Sequence, residues 1–443
     1  MAVDVRDSLQ KGSHPLPESW AWEWFTDVMD VEGGTQPPAS QFISQPKPGY
    51  VRLVQIRDFE SDGYLTYIPD STRWKKCSTT DVLIARYGAA LGRICRGLEG
   101  AYNVALAKVV PNDRVKLPFA YYLLTSNYFQ APLMASGGRS AQSGFNKADL
   151  GVIALPVPTI RAQQAIADVL GTLDEKIRLN RRINGTLESI ARSIFKSWFV
   201  DFDPVRAKLD SCEAAPLSAD IAELFPDSFE HTPDGDLLPT GWRMAPLNEI
   251  AEMRNKSVKP GSKSEQLWEH YSIPGYDEGR EPKRDRGESI KSGKYVVPEN
   301  SVLISKLNPQ FPRVWMPNPT TRDWAICSTE FMPFVPVRRN WRSYLYELAW
   351  SQSFQTEIQL RATGSTGSRQ RVRPKDISNM DVINPGDALI SCYSELVSPL
   401  HHSQIQNIEE SNVLAALRDT LLPQLLSGNI HVHDAEKEAA KVL

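Results

Sequence analysis

The side chains best suited to binding chemistry are basic and amide residues concentrated in one loop of the C-terminal third of the chain. Between positions 361 and 375 there are five cations and no acid, interleaved with Gly, Ser and Gln. The amide residue among them is Gln370, and the five cations are Arg361, Arg369, Arg371, Arg373 and Lys375. Arg and Gln bind guanine and adenine edges through paired hydrogen bonds, and glycines let a backbone approach phosphate closely. The loop predicts contact with nucleic acid, and a solvated basic loop is the competing interpretation.

Other polar side chains occupy related places earlier in the chain. A similar Gly/Ser-rich loop, at positions 136–150, carries fewer cations. Two further pairs of cations follow short, apolar, strand-like runs. The additional candidates for DNA binding are Arg139, Gln142 and Lys147 in the loop, and Arg86, Arg93, Lys306 and Arg313 at the strand ends.

Motifs of catalytic chemistry are incomplete. The tetrapeptide 308–311, Asn-Pro-Gln-Phe, resembles one that adenine methyltransferases use to hold a flipped base, but no Gly-rich strand-turn-helix for S-adenosylmethionine accompanies it. Residues 287–294, GESIKSGK, are one residue too long for a P-loop and lack the Ser or Thr that holds Mg²⁺. Glu281-Pro282-Lys283 has the ExK shape of a nuclease strand without a preceding acidic strand end. We therefore predict no catalytic site and no cofactor on this chain.

Composition limits the other possibilities. The five cysteines form no CxxC pair, which gives no zinc site and fits a reducing compartment. We expect His431 and His433 to be solvated rather than metal ligands. The net charge of −3 provides no global basic field, and no run of 18 apolar residues occurs. The sequence predicts a cytoplasmic protein of two or three domains that has no membrane partner.

The chain repeats itself. Residues 238–242, LPTGW, echo residues 16–20, LPESW, at an offset of 222, and residues 301–306 echo 81–86 at an offset of 220. A helix-like segment and the Gly/Ser loop recur at offsets of 225 and 227. Such a small drift indicates one ancestral unit with short loop insertions. In each copy, strand-like runs between Gly/Pro turns and a helix-like piece predict an α+β domain.

A long amphipathic helix follows the first domain. Its stripe contains Ile166, Leu170, Leu173, Ile177, Asn180, Asn184, Leu187, Ala191, Ile194 and Trp198, at alternating steps of three and four. A helix over 170–198 would be roughly 40 Å long at ~1.5 Å per residue, about one turn of duplex. Asn180 and Asn184 favour a coiled-coil seam over an ordinary core helix, because a buried amide fixes register. Gly171 and Gly185 suggest a kink or a close backbone approach.

The second copy ends in a similar helix. Leu414, Leu417 and Leu421 take the places of Leu187, Ile190 and Ile194 at an offset of 227, and Gly428 is a plausible C-cap. Two such helices would pair most simply as an antiparallel coiled coil, which gives the two α+β domains a pseudo-twofold relation. The candidate residues for this helix pair and for subunit contacts are Leu170, Leu173, Ile177, Leu187, Ile194, Trp198, Leu414, Leu417, Leu421 and Leu425.

These features divide the chain into six segments. The predicted domains are 1–158 and 238–386, and the predicted long helices are 159–204 and 387–430. An Asp/Pro/Ala-rich linker with one short helix near 221–225 occupies 205–237, and 431–443 forms a tail.

Two of these segments resemble a known family. Residues 155–208, LPVPTIRAQQAIADVLGTLDEKIRLNRRINGTLESIARSIFKSWFVDFDPVRAK, resemble the central conserved region of the specificity subunit of Type I restriction-modification systems. LRDTLLPQLLSG, at 417–428, resembles its distal conserved region. Two departures are Gly185, where an acidic helix former is usual, and 399–406, which keeps the pattern of the second helix only loosely.

The resemblance implies a non-catalytic subunit that reads DNA. Each α+β domain would be a target recognition domain for one half of a split, asymmetric sequence in double-stranded DNA, and the helix pair would set the gap between the halves. It also implies two modification subunits, which carry S-adenosylmethionine and methylate a flipped adenine, and two restriction subunits, which use ATP and Mg²⁺.

Two alternatives from other classes remain open. A self-sufficient adenine methyltransferase would need the cofactor motif that the sequence lacks. A scaffold that joins protein partners without touching DNA would have the same helices, and only salt-dependent DNA binding distinguishes it from a DNA reader.

Overall fold

The computed structural model of the protein describes residues 16–59, 62–137, 144–210, 217–232, 235, 237–364 and 370–443. Contacts divide the chain into two compact units. Unit 1 comprises Met1–Asn180 and Glu409–Leu443, and unit 2 comprises Arg181–Ile408. Each unit therefore contains one mixed domain and part of each of two long helices.

The domain of unit 1 contains short strands and short helices. The strands are β1 (Ala21–Trp24), β2 (Met29–Gly33), β3 (Tyr50–Val54), β4 (Tyr67–Pro69), β5 (Lys76–Cys77), β6 (Leu83–Ala85), β7 (Ile94–Cys95), β8 (Gly100–Tyr102), β9 (Leu106–Pro111) and β10 (Ala154–Val157). The helices are α1 (Phe25–Val28), α2 (Leu117–Thr125), α3 (Asn127–Gly137) and α4 (Lys147–Gly151), followed by the first long helix, α5 (Ile160–Phe199). The strands form sheets in the orders β1-β10, β2-β9-β6-β7 and β4-β3-β8-β5.

Unit 2 also contains short strands and short helices. Its strands are β11 (Phe229–His231), β12 (Leu237–Pro239), β13 (Arg243–Pro246), β14 (Ala251–Met253), β15 (Ser257–Val258), β16 (Leu267–Tyr271), β17 (Lys283–Arg286), β18 (Lys294–Val296), β19 (Val302–Ser305), β20 (Val314–Trp315), β21 (Ala325–Cys327), β22 (Phe331–Pro336) and β23 (Asp381–Asn384). Its helices are α6 (Asp203–Leu209), α7 (Ala219–Glu223), α8 (Ile273–Asp277), α9 (Arg342–Trp350), α10 (Gln352–Leu360) and α11 (Pro374–Ser378). The second long helix, α12 (Asp387–Ser427), begins in this unit, and α13 (Val432–Ala440) follows it.

The predicted repeat is confirmed at the level of the sheets. The order β2-β9-β6-β7 of unit 1 recurs as β14-β22-β19-β20 in unit 2. The equivalent polar side chains also make equivalent bonds. Ser126 and Ser351 donate their hydroxyls to the carbonyl oxygen three residues earlier, at 2.6 and 2.7 Å. Gln130 and Gln355 donate their amides to the carbonyl six residues earlier, at 2.7 and 2.5 Å.

In each unit the apolar stripe of the first long helix joins the core of the domain. In unit 1, Leu170 and Leu173 are fully buried in one cluster with Leu414 and Leu421. In unit 2, Trp198 is buried in a cluster that contains Tyr393 of α12 and the core of the domain. The other predicted seam residues are buried (Ile177, Leu425) or half-buried (Leu187, Ile194, Leu417). The aromatic residues of FKSWFVDFD thus serve as the anchor between helix and domain.

The two long helices run antiparallel where they meet inside each unit, as predicted. In unit 1, Asp174 Oδ1 contacts Arg418 Nη1 at 2.8 Å, and Asn180 Nδ2 donates to Glu410 Oε2 at 2.7 Å. The residue number on the second helix falls from 418 to 410 as the residue number on the first rises from 174 to 180, so the two helices are antiparallel. In unit 2, Asn184 plays the same part, because it donates Nδ2 to the carbonyl of Gln404 at 3.1 Å and accepts from Asn407 Nδ2 at 2.8 Å.

Glycines and prolines do not interrupt these helices. The first long helix continues through Gly171 and Gly185, and the second continues through Pro399. A Cβ atom added at Gly185 would meet no described atom within 4 Å, so the predicted close backbone approach is absent there. Gly428 ends the second long helix with φ of +74°, as a C-cap glycine does.

The predicted linker and tail are more structured than their composition suggests. The linker segment contains most of α6, all of α7 and β11, and the first residue of β12, and Val205 and Phe225 are buried in the core of unit 2. The segment 431–443 contains α13, which buries Ala435 and Ala439 against the core of unit 1. Small apolar residues in a polar background are a weak sequence signal, and tertiary packing decides the outcome.

Candidate nucleic-acid interface

One end of the β19–β20 hairpin of unit 2 gathers several of the predicted DNA-binding residues. Lys306 directly follows β19 and Arg313 directly precedes β20, and the amide of Ser305 donates to the Arg313 carbonyl at 2.9 Å. The amide of Lys306 donates to the Glu330 carbonyl at 2.9 Å, and its own carbonyl accepts from the amide of Val372 at 3.1 Å. The backbone therefore brings three segments that are distant in sequence to one polar edge.

At this edge the Arg371 guanidinium is held by a carboxylate. Arg371 Nε lies 3.1 Å from both oxygens of Glu330, and Nη2 lies 2.9 Å from Oε1. The hydrogen bond to Glu330 raises the pKa of the Arg371 side chain. The side chain remains 46% exposed. The carboxylate fixes the plane of the guanidinium through Nε and Nη2, while almost half of the side chain stays exposed.

Arg313 is held by a second carboxylate. Its Nε and Nη2 contact the two oxygens of Asp277 at 2.6 and 2.9 Å. Its Nη1 donates to the carbonyl of Phe311 at 3.3 Å. The Arg313 side chain is only 13% exposed, so most of its hydrogen-bonding capacity is used inside the protein. This geometry favours a role in holding the turn rather than in direct contact with phosphate.

The remaining candidates of this loop flank the Arg371–Glu330 pair. The carbonyl of Gln370 accepts from the amide of Asn308 at 2.8 Å, which ties the loop to the hairpin. Arg373 is exposed and precedes α11. Arg369 lies outside the described residues.

Unit 1 carries the corresponding but sparser edge. The Arg86 guanidinium lies over the Tyr87 ring at 5.1 Å and near the Phe145 ring at 5.9 Å from their centroids. Lys147 contacts Asp30, with Nζ 2.6 Å from Oδ1, and this hydrogen bond holds the pKa of the Asp30 carboxyl below its usual value. Both side chains of that pair are more than half exposed, so the pair is weak and easily exchanged.

Arg93 is placed by the backbone of its hairpin. The backbone of Arg93 pairs with Ala85 across the β6–β7 hairpin at 2.9 Å, as Arg313 pairs with Ser305 in unit 2. Arg139 and Gln142 lie outside the described residues.

An ionic network joins the helix pair to the domain of unit 1. Asp174 lies between Arg96 of the domain, at 2.9 Å, and Arg418 of the second long helix, at 2.8 Å. The Tyr122 hydroxyl also donates to Asp174, at 2.8 Å. In unit 2, Glu188 of the first long helix likewise contacts Arg280 of the domain, at 2.8 Å. These contacts fix the helix-to-domain angle within each unit.

Sequence reasoning found the cations of these edges but not their acidic partners. Glu330 and Asp277 stand 41 and 36 positions from the arginines that they hold, in segments without a motif. The exposed basic strand β17, which carries Lys283, Arg284 and Arg286, was also not among the predicted candidates.

The described part of the chain contains no group of three or more His, Cys, Asp or Glu side chains that could hold a metal ion. No helix within the described ranges combines the length and the hydropathy that a membrane span requires. The described features are polar loops on two repeated domains, each of which packs against the long helices within its own unit.

Comparison with known proteins finds similarity to one family over most of the chain. Residues 17–189 match the family described as Type I restriction modification DNA specificity domain. The chain is 26% identical over 376 residues to the Type I restriction enzyme HindI specificity subunit of Haemophilus influenzae, covering 73% of this chain and 79% of that protein. It is 23% identical over 445 residues to the MjaIX specificity subunit of Methanocaldococcus jannaschii, covering 95% of each.

A solved structure has the same fold. The Type I restriction-modification S subunit from M. genitalium aligns with 94% of this chain and 97% of its own, with a TM-score of 0.54 at 14% sequence identity. The predicted resemblance is thereby confirmed: the chain is similar to the specificity subunits of Type I restriction-modification systems.

Proposed function

We propose that this chain is the DNA sequence-specificity subunit of a Type I restriction-modification complex. The observation that carries the proposal is its similarity to specificity subunits over 95% of its length, together with the internal repeat of domain and helix. In this role the chain is not itself an enzyme. It binds a bipartite, asymmetric target in double-stranded DNA, and each domain reads one half.

The recognition surface of unit 2 would be the edge formed by Lys306, Gln370, Arg371 and Arg373, with Arg369 beside it. Glu330 holds Nε and Nη2 of Arg371, so the remaining edge of the guanidinium would contact a guanine, and the neighbouring cations suit phosphate contacts. Glu330 restrains Arg371 before DNA arrives, which lowers the entropy lost on binding. The counterpart surface of unit 1 would contain Arg86, Arg93, Arg139, Gln142 and Lys147.

The proposal assigns separate tasks to the partners. The helix pair acts as the spacer between the two half-sites and as the docking site for two modification subunits and two restriction subunits. S-adenosylmethionine would bind to the modification subunits, and ATP with Mg²⁺ to the restriction subunits. This chain contributes recognition and assembly, in the cytoplasm where the host DNA is methylated.

Salt dependence of DNA binding tests the proposal against its alternatives. The full chain, co-expressed with its modification subunit, is titrated with labelled genomic fragments at 50 to 200 mM salt. A DNA reader that contacts six or more phosphates loses roughly 10³-fold or more in affinity over this range. No binding at any salt would favour a protein scaffold, and methyl transfer by this chain without a partner would favour a self-sufficient methyltransferase.

A further inference from the structure

The turn between β19 and β20 carries a largely exposed aromatic side chain. Phe311 is 56% exposed, although a phenyl ring has no polar atom to interact with water. Its neighbours at the turn are the polar edge residues Lys306 and Arg313, so the ring stands inside the proposed recognition surface. A single exposed apolar side chain is common on protein surfaces, so the rigidity and the backbone of this turn must decide whether the ring marks a contact site.

The backbone of this turn is fixed. The amide of Phe311 donates to the carbonyl of Asn308 at 2.9 Å, and the amide of Asn308 donates to the carbonyl of Gln370 at 2.8 Å. The Gln359 side-chain amide donates to the Pro309 carbonyl at 3.3 Å. Arg313 adds a bond to the Phe311 carbonyl at 3.3 Å while its other nitrogens are held by Asp277. The exposed ring therefore stands on a rigid support.

The repeat isolates the feature that is special to unit 2. The equivalent turn of unit 1 has the same hydrogen bond, from the amide of Leu91 to the carbonyl of Gly88 at 3.1 Å. The left-handed position is Gly88 in unit 1, with φ of +70°, and Asn308 in unit 2, with φ of +47°. Leu91, however, packs against the core of its unit, whereas Phe311 faces solvent.

Asn308 adds a second unusual property. A residue before proline normally adopts an extended conformation, yet Asn308 precedes Pro309 with a positive φ. Its Oδ1 atom is buried without a hydrogen-bond partner among the described residues. Strained and unsatisfied groups of this kind concentrate at functional sites.

We propose that Phe311 is a base-stacking wedge, which contacts or partly enters a base step in the half-site read by unit 2. Apolar side chains inserted between base steps unstack them and read the deformability of the DNA rather than its edge hydrogen bonds. Arg313 and Asp277 would act as positioning residues, because their ion pair fixes the turn that carries Phe311. This inference rests on the proposed function and adds a specificity determinant to one of its two domains.

The test compares Phe311→Ala with Val337→Ala in the full chain assembled with its modification subunits. Val337 is a matched control, because it is 55% exposed in the same unit and lies beyond the end of β22. The probes are a duplex that contains the target found by methylation mapping and a duplex of scrambled sequence. Copies of the target duplex carry 2-aminopurine, in turn, at each adenine.

We expect Phe311→Ala to lower affinity for the target at least tenfold, with unchanged affinity for scrambled DNA, an unchanged slope of affinity against salt and an unchanged melting temperature. Phe311→Ala should also abolish the rise in 2-aminopurine fluorescence that the wild-type complex causes at one base step of one half-site. Phe311→Leu should retain part of the target affinity and part of the fluorescence rise that Phe311→Ala loses. Unchanged target affinity and fluorescence in Phe311→Ala, or equal losses in Val337→Ala, would overturn the inference. Failure of the wild-type complex to distinguish target from scrambled DNA would instead overturn the proposed function.

Discussion

At the scale of single residues, two arginines among the candidates, Arg371 and Arg313, are already paired with acids. Arg371 and Arg313 were identifiable from the sequence, because cations in a Gly/Ser-rich loop and after strand-like runs stand out. Glu330 and Asp277 were not, because only the fold brings them to the same edge. These acids separate the two arginines as candidates for DNA binding. Arg371 is restrained but accessible, whereas Arg313 is largely buried.

Arg371→Ala tests whether the exposed part of the Arg371 guanidinium contacts a base. If Arg371 reads a base, the variant should lose roughly 1 to 3 kcal/mol of binding free energy for the target and little for scrambled DNA. The measurement is fluorescence anisotropy with the assembled complex. Arg338→Ala is the control, because Arg338 is also an exposed arginine paired with a carboxylate, that of Asp387. Equal affinities of both variants for the target would remove Arg371 from the interface.

Glu330→Gln tests whether the carboxylate prepares Arg371 for recognition. The change removes a negative charge from the edge, so affinity for scrambled DNA should rise, by about twofold to tenfold at low salt. Affinity for the target should rise less, because Arg371 loses its bidentate restraint. The ratio of the two affinities, measured at one salt concentration, should therefore fall. A constant ratio would mean that the carboxylate has only an electrostatic effect.

At the scale of elements, periodicity predicted the long helices well and composition predicted the connecting segments poorly. The stripe from Ile166 to Trp198 lies on the buried side, and Asn180 and Asn184 bond across the helix pair. Heptad-like spacing is a local property, so it can be read from the sequence. The burial of Phe225 and of α13 depends on distant surfaces that no local pattern reveals.

Leu173→Ala tests the importance of the seam. Leu173 is fully buried, so its truncation should reduce the free energy of unfolding by about 2 to 5 kcal/mol. Leu179→Ala is the control on the same helix, where the side chain is 44% exposed and the expected change is about 0.5 kcal/mol. Urea denaturation followed by circular dichroism measures both. Similar losses in the two variants would contradict the packing described for unit 1.

At the scale of the whole molecule, the repeat is the property that links sequence to function. A chain that contains the same domain twice can read two half-sites, and a chain whose domains differ in their loops can read two different ones. The loops of the two copies do differ, since Leu91 packs in the core of unit 1 while Phe311 is exposed in unit 2. If each copy reads one half-site, this difference predicts an asymmetric target.

Lengthening the helix pair tests its role as a spacer. Four residues are inserted after Gly185 and four at the facing position near Gln404, which adds about one turn or ~6 Å. The untouched gap in the target should grow by one or two base pairs, while both half-site sequences stay the same. A four-residue insertion after the exposed Asp113 is the control and should leave the gap unchanged. An unchanged gap in the helix variant would refute the spacer role.

The most direct test of the central claim is base-resolution mapping of methylated adenine in host DNA. Cells would carry this gene with the gene of its modification subunit, or either gene alone. We expect a split, asymmetric motif with methyladenine in both halves, present only when the two genes are together. Methylation by the modification subunit alone at the same motif, or by this chain alone, would contradict the assignment of sequence recognition without catalysis to this protein.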